Sequence, residues 1–165
     1  RSNITITEAV FLNGGLFPDL HHPTRMQKLV AGPLGPLMAR LANEKTYSRG
    51  LQEVMNKPPS AEELHQHWLA TSRDGGKLVL PKLLGYIAER RANEERWVGA
   101  LTGTPEVPKR FVWGPEDPVS GAHVLPEIRR RVPEADVHVI EGVGHWPQLE
   151  DVAAVAAALR LGPSG

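Results

Sequence analysis

A chain of 165 residues, 41% apolar and 23% charged, has the make-up of one ordinary globular domain with room for an inserted subdomain. Nineteen Lys and Arg balance nineteen Asp and Glu, and no basic stretch is interleaved with aromatics, so no nucleic acid partner is expected. The lack of cysteine excludes disulfides, thiol nucleophiles and Cys-based zinc sites, and no apolar run reaches the ~18 residues that span a bilayer.

Arg1–Thr7 is too short and too polar to be a signal-peptide core, and a cytoplasmic location is expected. Ala9-Val10-Phe11-Leu12 predicts a parallel strand, apolar and buried on both faces, that stops at Asn13-Gly14-Gly15. Phe17-Pro18 and His22-Pro23 hold the chain extended until a helix begins near Thr24. Met26, Leu29 and Val30 form one apolar stripe; Leu34, Leu37, Met38 and Leu41 form another beyond a Gly-Pro break. Ser60 followed by Glu63 is a capping box, in which each side chain takes an amide of the first helical turn. The helix it opens carries Leu64, Trp68 and Leu69 on one side. Asp74-Gly75-Gly76 predicts a turn, and a longer helix over Leu80–Ala100 points Leu83, Leu84, Ile87 and Trp97 inward. With no strand signal in it, this region reads as an all-helical insertion.

Beyond Thr104-Pro105 the hydrophobic period changes. Strand 110–113, helix 122–132, strand 137–140 and a last helix 148–161 make an alternating unit, which implies parallel strands with right-handed crossovers. Arg129-Arg130-Arg131 reads as a solvated helix face, and Gly162-Pro163-Ser164-Gly165 as a frayed tail.

The chemistry is expected where strands end. Asp117, in Trp113-Gly114-Pro115-Glu116-Asp117-Pro118, follows one strand; His145, in Gly142-Val143-Gly144-His145-Trp146, follows the next. Open α/β sheets gather their reacting groups past the carboxyl ends of strands. An acid that fixes an imidazole's tautomer, followed by the histidine, is also the order of the last two members of a nucleophile–acid–base triad. A turn aspartate that only bonds nearby amides is the plain alternative for Asp117, and Glu116 is a second candidate acid. His21 and His22 are adjacent, and His65 and His67 lie two apart on a helix, so neither pair has metal-chelating spacing and no metal site is expected. The only tyrosines, Tyr47 and Tyr86, lie in the helical region. They either pack there or donate a hydrogen bond to a substrate oxygen on which negative charge develops.

In order, the segments Asn13-Gly14-Gly15-Leu16-Phe17-Pro18, Tyr47-Ser48-Arg49-Gly50-Leu51, Arg96-Trp97-Val98-Gly99-Ala100-Leu101, Trp113–Val119 and Gly144–Asp151 resemble the α/β-hydrolase superfamily. The resemblance lies in its epoxide hydrolase and haloalkane dehalogenase branch, near the mesoderm-specific transcript homolog group. It implies an α/β fold, the C-terminal part of the family's sheet: three parallel strands with flanking helices and an inserted all-helical cap. Residues 1–15 would be the sixth core strand and loop, 16–105 the cap, and 106–165 the seventh and eighth strands with the last helix. Asp117 would be the triad acid and His145 the general base. Tyr86 would match a cap tyrosine that polarises an epoxide oxygen. The implied reaction is hydrolysis of an epoxide, haloalkane or ester through a covalent ester, on a small hydrophobic substrate and with no cofactor. The family's nucleophile elbow and His-Gly-x-Pro oxyanion loop have no match, so the partner implied is the missing N-terminal half of the fold. Val152 stands where a proline is expected. The alternative is a catalytically inactive binding module or remnant.

Overall fold

The computed structural model describes residues 4–160, so the expected fraying of Gly162-Pro163-Ser164-Gly165 lies outside it. Strands β1 (Ala9–Leu12), β2 (Lys109–Trp113) and β3 (Asp136–Val139) form one parallel sheet in that spatial order. Phe11 sits opposite Phe111 and Phe111 opposite Val137. The two phenyl rings stack with centroids 5.1 Å apart.

Strand β2 is central and every one of its residues is buried, Lys109 and Arg110 included. A charge can be buried only when it is paired, and Arg110 is. Its Nε donates to Asp136 Oδ2 at 3.1 Å, its Nη1 donates to the Ala158 carbonyl at 2.7 Å, and Glu8 faces it at 3.3 Å. One guanidinium thereby ties β2 to β3, to the residue just before β1 and to the C-terminal helix. Phe17, Phe111, Trp113, Val124, Leu125, Ile128 and Val132 fill the core on one face of the sheet. Val112 packs against Val155 and Ala158 on the other.

Strand β1 departs from the sequence expectation. It pairs only with β2 among the described residues, and Val10 is 37% exposed rather than buried. A strand with one neighbour keeps an open edge, whatever its composition.

Between β1 and β2 the chain is helical: α1 (Arg25–Ala31), α2 (Gly35–Leu41), α3 (Glu44–Gln52), α4 (Ala61–Ser72), α5 (Leu80–Leu83), α6 (Tyr86–Ala92) and α7 (Glu94–Thr102). Reciprocal capping boxes open three of them, Thr24 with Gln27, Asn43 with Thr46 and Ser60 with Glu63. The turn after α4 uses left-handed backbone at Asp74 (φ 50°) and Gly75 (φ 77°). The single helix expected over 80–100 is three short ones, broken around Gly85 and at Asn93, where φ is −114° and ψ is 20°. Each break resets the 3.6-residue phase, so the apolar stripe loses its common direction. Leu83 (60% exposed) and Trp97 (42%) consequently face outward, against expectation.

After β2, a short turn at Ala122–Val124 leads into α8 (Leu125–Arg131). Arg129 and Arg130 are exposed on it as expected, whereas Arg131 lies over the Phe17 ring at 4.4 Å and bonds Asp19 at 2.8 Å. The last helix is split into α9 (Pro147–Glu150) and α10 (Val152–Arg160). Asp151 leaves the helix and its carboxylate accepts the Ala154 amide at 2.9 Å, so it acts as a new N-cap.

Candidate active site

Because the three strands are parallel, their carboxyl ends deliver Asn13, the 114–117 turn and the 142–145 loop to one rim of the sheet. There the Asp117 carboxylate meets the His145 imidazole, with Oδ2 2.7 Å from Nδ1. The two side chains differ in access: that of Asp117 is fully buried, while 18% of the His145 side chain is exposed.

Four donors surround the carboxylate. Val119 N–H donates to Oδ1 at 2.7 Å, and Ser120 Oγ and Asn13 Nδ2 donate to Oδ2 at 2.6 and 3.0 Å, beside the imidazole. Burial alone would raise the pKa of Asp117; the hydrogen bond and charge of His145, with Ser120 and Asn13, outweigh it and hold the group at about 2. An ionised carboxylate can only accept, so Nδ1 of His145 carries a proton and the lone pair of the neutral ring lies on Nε2.

This depressed pKa has a consequence for stability. The ordinary value is 3.8, so folding favours the charged form, and the contribution is complete above about pH 4 and lost as pH falls through about 2. It amounts to about 2 kcal/mol. Urea unfolding of Asp117→Asn and wild-type protein is expected to show stabilities that converge between pH 4 and pH 2. A constant difference over that window would refute the assignment of the charge.

Asn13 is a clamp that sequence reasoning assigned no role. Its Oδ1 accepts the Gly114 amide at 2.6 Å, and its Nδ2 donates to the Gly114 carbonyl at 2.9 Å as well as to Asp117. The end of β1 is thus fastened to the acid turn. Gly114 itself lies against the histidine loop: a Cβ there would come within 2.4 Å of the Gly144 carbonyl oxygen and 2.5 Å of that of Val143. At this point the two loops meet backbone to backbone.

Glu150 does for His145 what Asn13 does for Asp117. Its Oε2 accepts the amides of Gly144, Asn56 and Lys57 at 2.8, 2.8 and 2.9 Å, and its Oε1 accepts that of Trp146 at 3.1 Å. The His145 amide donates to the Val54 carbonyl at 2.9 Å, and Asn56 Nδ2 to that of Gly142 at 2.8 Å. The histidine loop is therefore built jointly by the sheet and by the segment after α3. The visible hint for both clamps was position: a polar side chain at a strand's end, and a carboxylate within one turn of the histidine loop.

A cavity of about 410 Å³ opens between the helices and this pair. His145 and Trp146 form one wall; Met26, Val30, Met38, Leu51, Leu80 and Leu84 supply most of the rest. Tyr47 lines it too, its hydroxyl accepting from Thr71 Oγ1 at 3.1 Å. Tyr86 does not line it: this ring is 40% exposed and lies beneath the Arg90 guanidinium at 4.7 Å. Glu116 is exposed, with only its amide engaged, to the Val143 carbonyl. A second cavity, about 510 Å³, lies between β1 and α7 and touches neither Asp117 nor His145.

His65 pairs with Glu44 at 3.0 Å, and the His22 ring stacks on that of His123 at 4.3 Å. Among the described residues no group of three His, Asp or Glu could hold a metal ion, and no helix is long and apolar enough to cross a membrane. His21 is different: its ring nitrogens are buried without a partner. Burial first, then the charges of Arg90, His145 and His22, against that of Asp117, lower its pKa to about 4.

Comparison with known proteins agrees with this architecture. The mesoderm-specific transcript homolog protein of Bos taurus is 38% identical over 154 residues, covering 90% of this chain and 46% of that protein. The chain thus spans about half the length of the curated relatives it matches. A crystal structure of an alpha/beta hydrolase fold protein from Burkholderia ambifaria superposes with a TM-score of 0.71 at 17% identity, over 93% of this chain and 56% of that one. The Cif epoxide hydrolase from Acinetobacter nosocomialis gives 0.64 at 16% identity, over 93% and 52%. At such identities these two likenesses concern the fold alone. The model of the alpha/beta hydrolase family matches residues 4–158, and the chain belongs to that family.

Proposed function

We propose that this chain supplies the acid, the general base and the substrate cavity of a hydrolase that acts on small, neutral, hydrophobic substrates. The reading rests on one observation: the 2.7 Å contact between Asp117 and His145 at the mouth of an apolar cavity. A nucleophile from a segment outside this chain would attack an epoxide, haloalkane or ester carbon and form a covalent ester, as the epoxide C–O bond, the carbon–halogen bond or the bond to the ester's alcohol oxygen breaks and the oxygen or halide leaves with the electron pair. His145 Nε2 then takes a proton from water as the water oxygen bonds to the ester carbon; the ester C–O bond breaks, and the departing oxygen keeps its electron pair and takes the proton back from the imidazolium. Asp117 holds the ring's tautomer and stabilises the imidazolium so formed. No cofactor enters this scheme.

In this reading residues 16–105 act as a cap over a core formed by 1–15 and 106–165. The cavity wall carries no lysine, arginine or carboxylate, which suits an uncharged substrate limb. Of the two tyrosines, Tyr47 is the one that borders this cavity and could reach a substrate oxygen.

Gly50 offers the test. It lines the cavity, lies in α3, and a Cβ built on it meets nothing within 4 Å. Gly50→Leu should therefore fill space without disturbing the backbone, and helix propensity favours it by about 0.8 kcal/mol. In a full-length protein that carries the nucleophile segment, it is expected to raise KM for p-nitrophenyl octanoate by about tenfold, a loss of ~1.4 kcal/mol of binding. Values for the acetate should barely move. Equal effects on both esters, or none, would place the substrate elsewhere.

A further inference from the structure

Helices α1, α2 and α5 pack on one another. Gly35 is where they meet most closely: a Cβ there would collide with the Val30 carbonyl oxygen at the end of α1 and stand 3.1 Å from Pro81 Cβ in α5. Gly35 and Ala39 form the buried side of α2. Leu34, Leu37 and Leu41, spaced three and four residues apart, form another side and are 57, 53 and 65% exposed. Helix α1 adds exposed Met26 and Leu29, and α5 adds exposed Leu83. Single exposed leucines are ordinary on a protein surface, whereas six apolar side chains on three touching helices make a patch. Met26 and Leu41 also line the cavity bounded by His145, so the patch begins at that cavity's edge.

The charge of this region is equally one-sided. The whole chain balances its charges, yet residues 20–43 and 75–88 hold Arg25, Lys28, Arg40, Lys77 and Lys82 and no Asp or Glu. Lys77 is engaged internally, its Nζ donating to the Arg40 and Ala42 carbonyls at 3.0 and 2.7 Å and closing the C-terminal end of α2. Arg25, Lys28, Arg40 and Lys82 are exposed, and among the described residues none of them pairs with a carboxylate. Apolar side chains set among unpaired cations match a boundary where hydrocarbon begins beneath negatively charged headgroups. A second copy docked here would bring its own cations against these. An acidic protein would answer the cations and leave the leucines in water.

We propose that α1, α2 and α5 form a docking surface for an anionic lipid bilayer, with Leu34 and Leu37 entering the acyl boundary and Arg25, Lys28, Arg40 and Lys82 at the headgroups. The surface lies on the bilayer and does not cross it. Docking does not depend on the hydrolase reading. Where both hold, an apolar ester dissolved in the bilayer meets the edge of the cavity.

Flotation of the full-length protein with lipid vesicles tests this. Binding to mixed phosphatidylcholine and phosphatidylserine vesicles is expected to be about 10²-fold stronger than to phosphatidylcholine alone, since each cation near such a surface contributes about fivefold. Arg25→Gln with Lys28→Gln should weaken binding to the anionic vesicles about 25-fold and leave binding to the neutral ones unchanged. Leu34→Ser with Leu37→Ser should weaken binding to both kinds about tenfold. Its melting temperature should not move, because both side chains are exposed. Wild-type protein that binds both kinds equally, or neither, would overturn the docking surface. So would undiminished binding by either variant, since the anchor would then be another part of the protein. A leucine variant that melts several degrees lower would show the patch packed against the rest of the chain, and would equally overturn it. A concentration-dependent dimer that this variant abolishes would assign the patch to a second copy; capture by soluble polyglutamate but not by vesicles would assign it to an acidic partner. Either result defeats the proposal. Vesicle binding by a protein that hydrolyses no ester leaves the docking surface standing and defeats the hydrolase reading; turnover without vesicle binding does the reverse.

Discussion

Replacing His145 by Gln in the full-length protein is expected to reduce multiple turnover by about 10⁴-fold or more, with substrate binding little changed. Glutamine has no lone pair basic enough to take the proton from an attacking water, so the second half of the reaction loses its driving group. The first half responds according to the nucleophile. A carboxylate attacks without prior proton removal, and the variant then accumulates one equivalent of covalent ester, visible as a mass increase of the intact protein. A serine needs the same imidazole for both steps, and no adduct forms. One variant therefore tests the role of His145 and reports the chemistry of a residue outside the chain. Unchanged turnover would end the assignment.

The second large effect is expected at a position with no reacting group. Gly114→Ala puts a methyl within 2.4 and 2.5 Å of two carbonyl oxygens of the histidine loop. Neither contact can be relieved by rotating a side chain, since both partners are backbone. The acid turn must retreat from the histidine loop, straining the Asn13 clamp and the Asp117–His145 hydrogen bond together. A cost of about 3 kcal/mol is expected, seen as a fall of about 6–12 °C in melting temperature. If the proposed roles hold, a displacement of 1 Å at the Asp117–His145 pair should lower kcat/KM of the full-length protein by about 10²-fold. Gly50→Leu is the internal comparison, because its added atoms enter open space. A Gly114→Ala melt within two degrees of wild type would mean that the two loops can separate freely.

Much of this arrangement was legible from residues alone, for reasons that can be named. Strands β2 and β3 carry short β-branched and aromatic stretches, Phe111-Val112-Trp113 and Val137 with Val139, followed by turn residues, and parallel strands put their carboxyl ends on one side. The positions of Asp117 and His145 past two such ends were therefore readable, though not their distance. The helix breaks at Gly85 and Asn93 were not, because each residue is tolerated within helices and only the surrounding packing decides. The exposure of Val10 depends on what lies beside β1, which its own sequence does not state. Asn13 and Glu150 act on partners 101 and 94 positions away in the chain, beyond any local pattern. The tyrosines were found by type, but only the folded helices separate Tyr47, on the cavity wall, from Tyr86, under Arg90. In the sequence His21 reads only as one of two adjacent histidines; its burial beside Arg90 arises from α6 docking on the turn before it.

The carboxylate of Glu150 joins amides on either side of a gap of more than eighty residues, Asn56 and Lys57 with Gly144 and Trp146. Local melting of the segment after α3 would free the same carboxylate that shapes the imidazole's loop, so the two segments are expected to open and close together. In the proposed reaction, a breathing motion wide enough to admit or discharge a ligand there would also displace the proposed base, so reactivity is expected only with the segment closed.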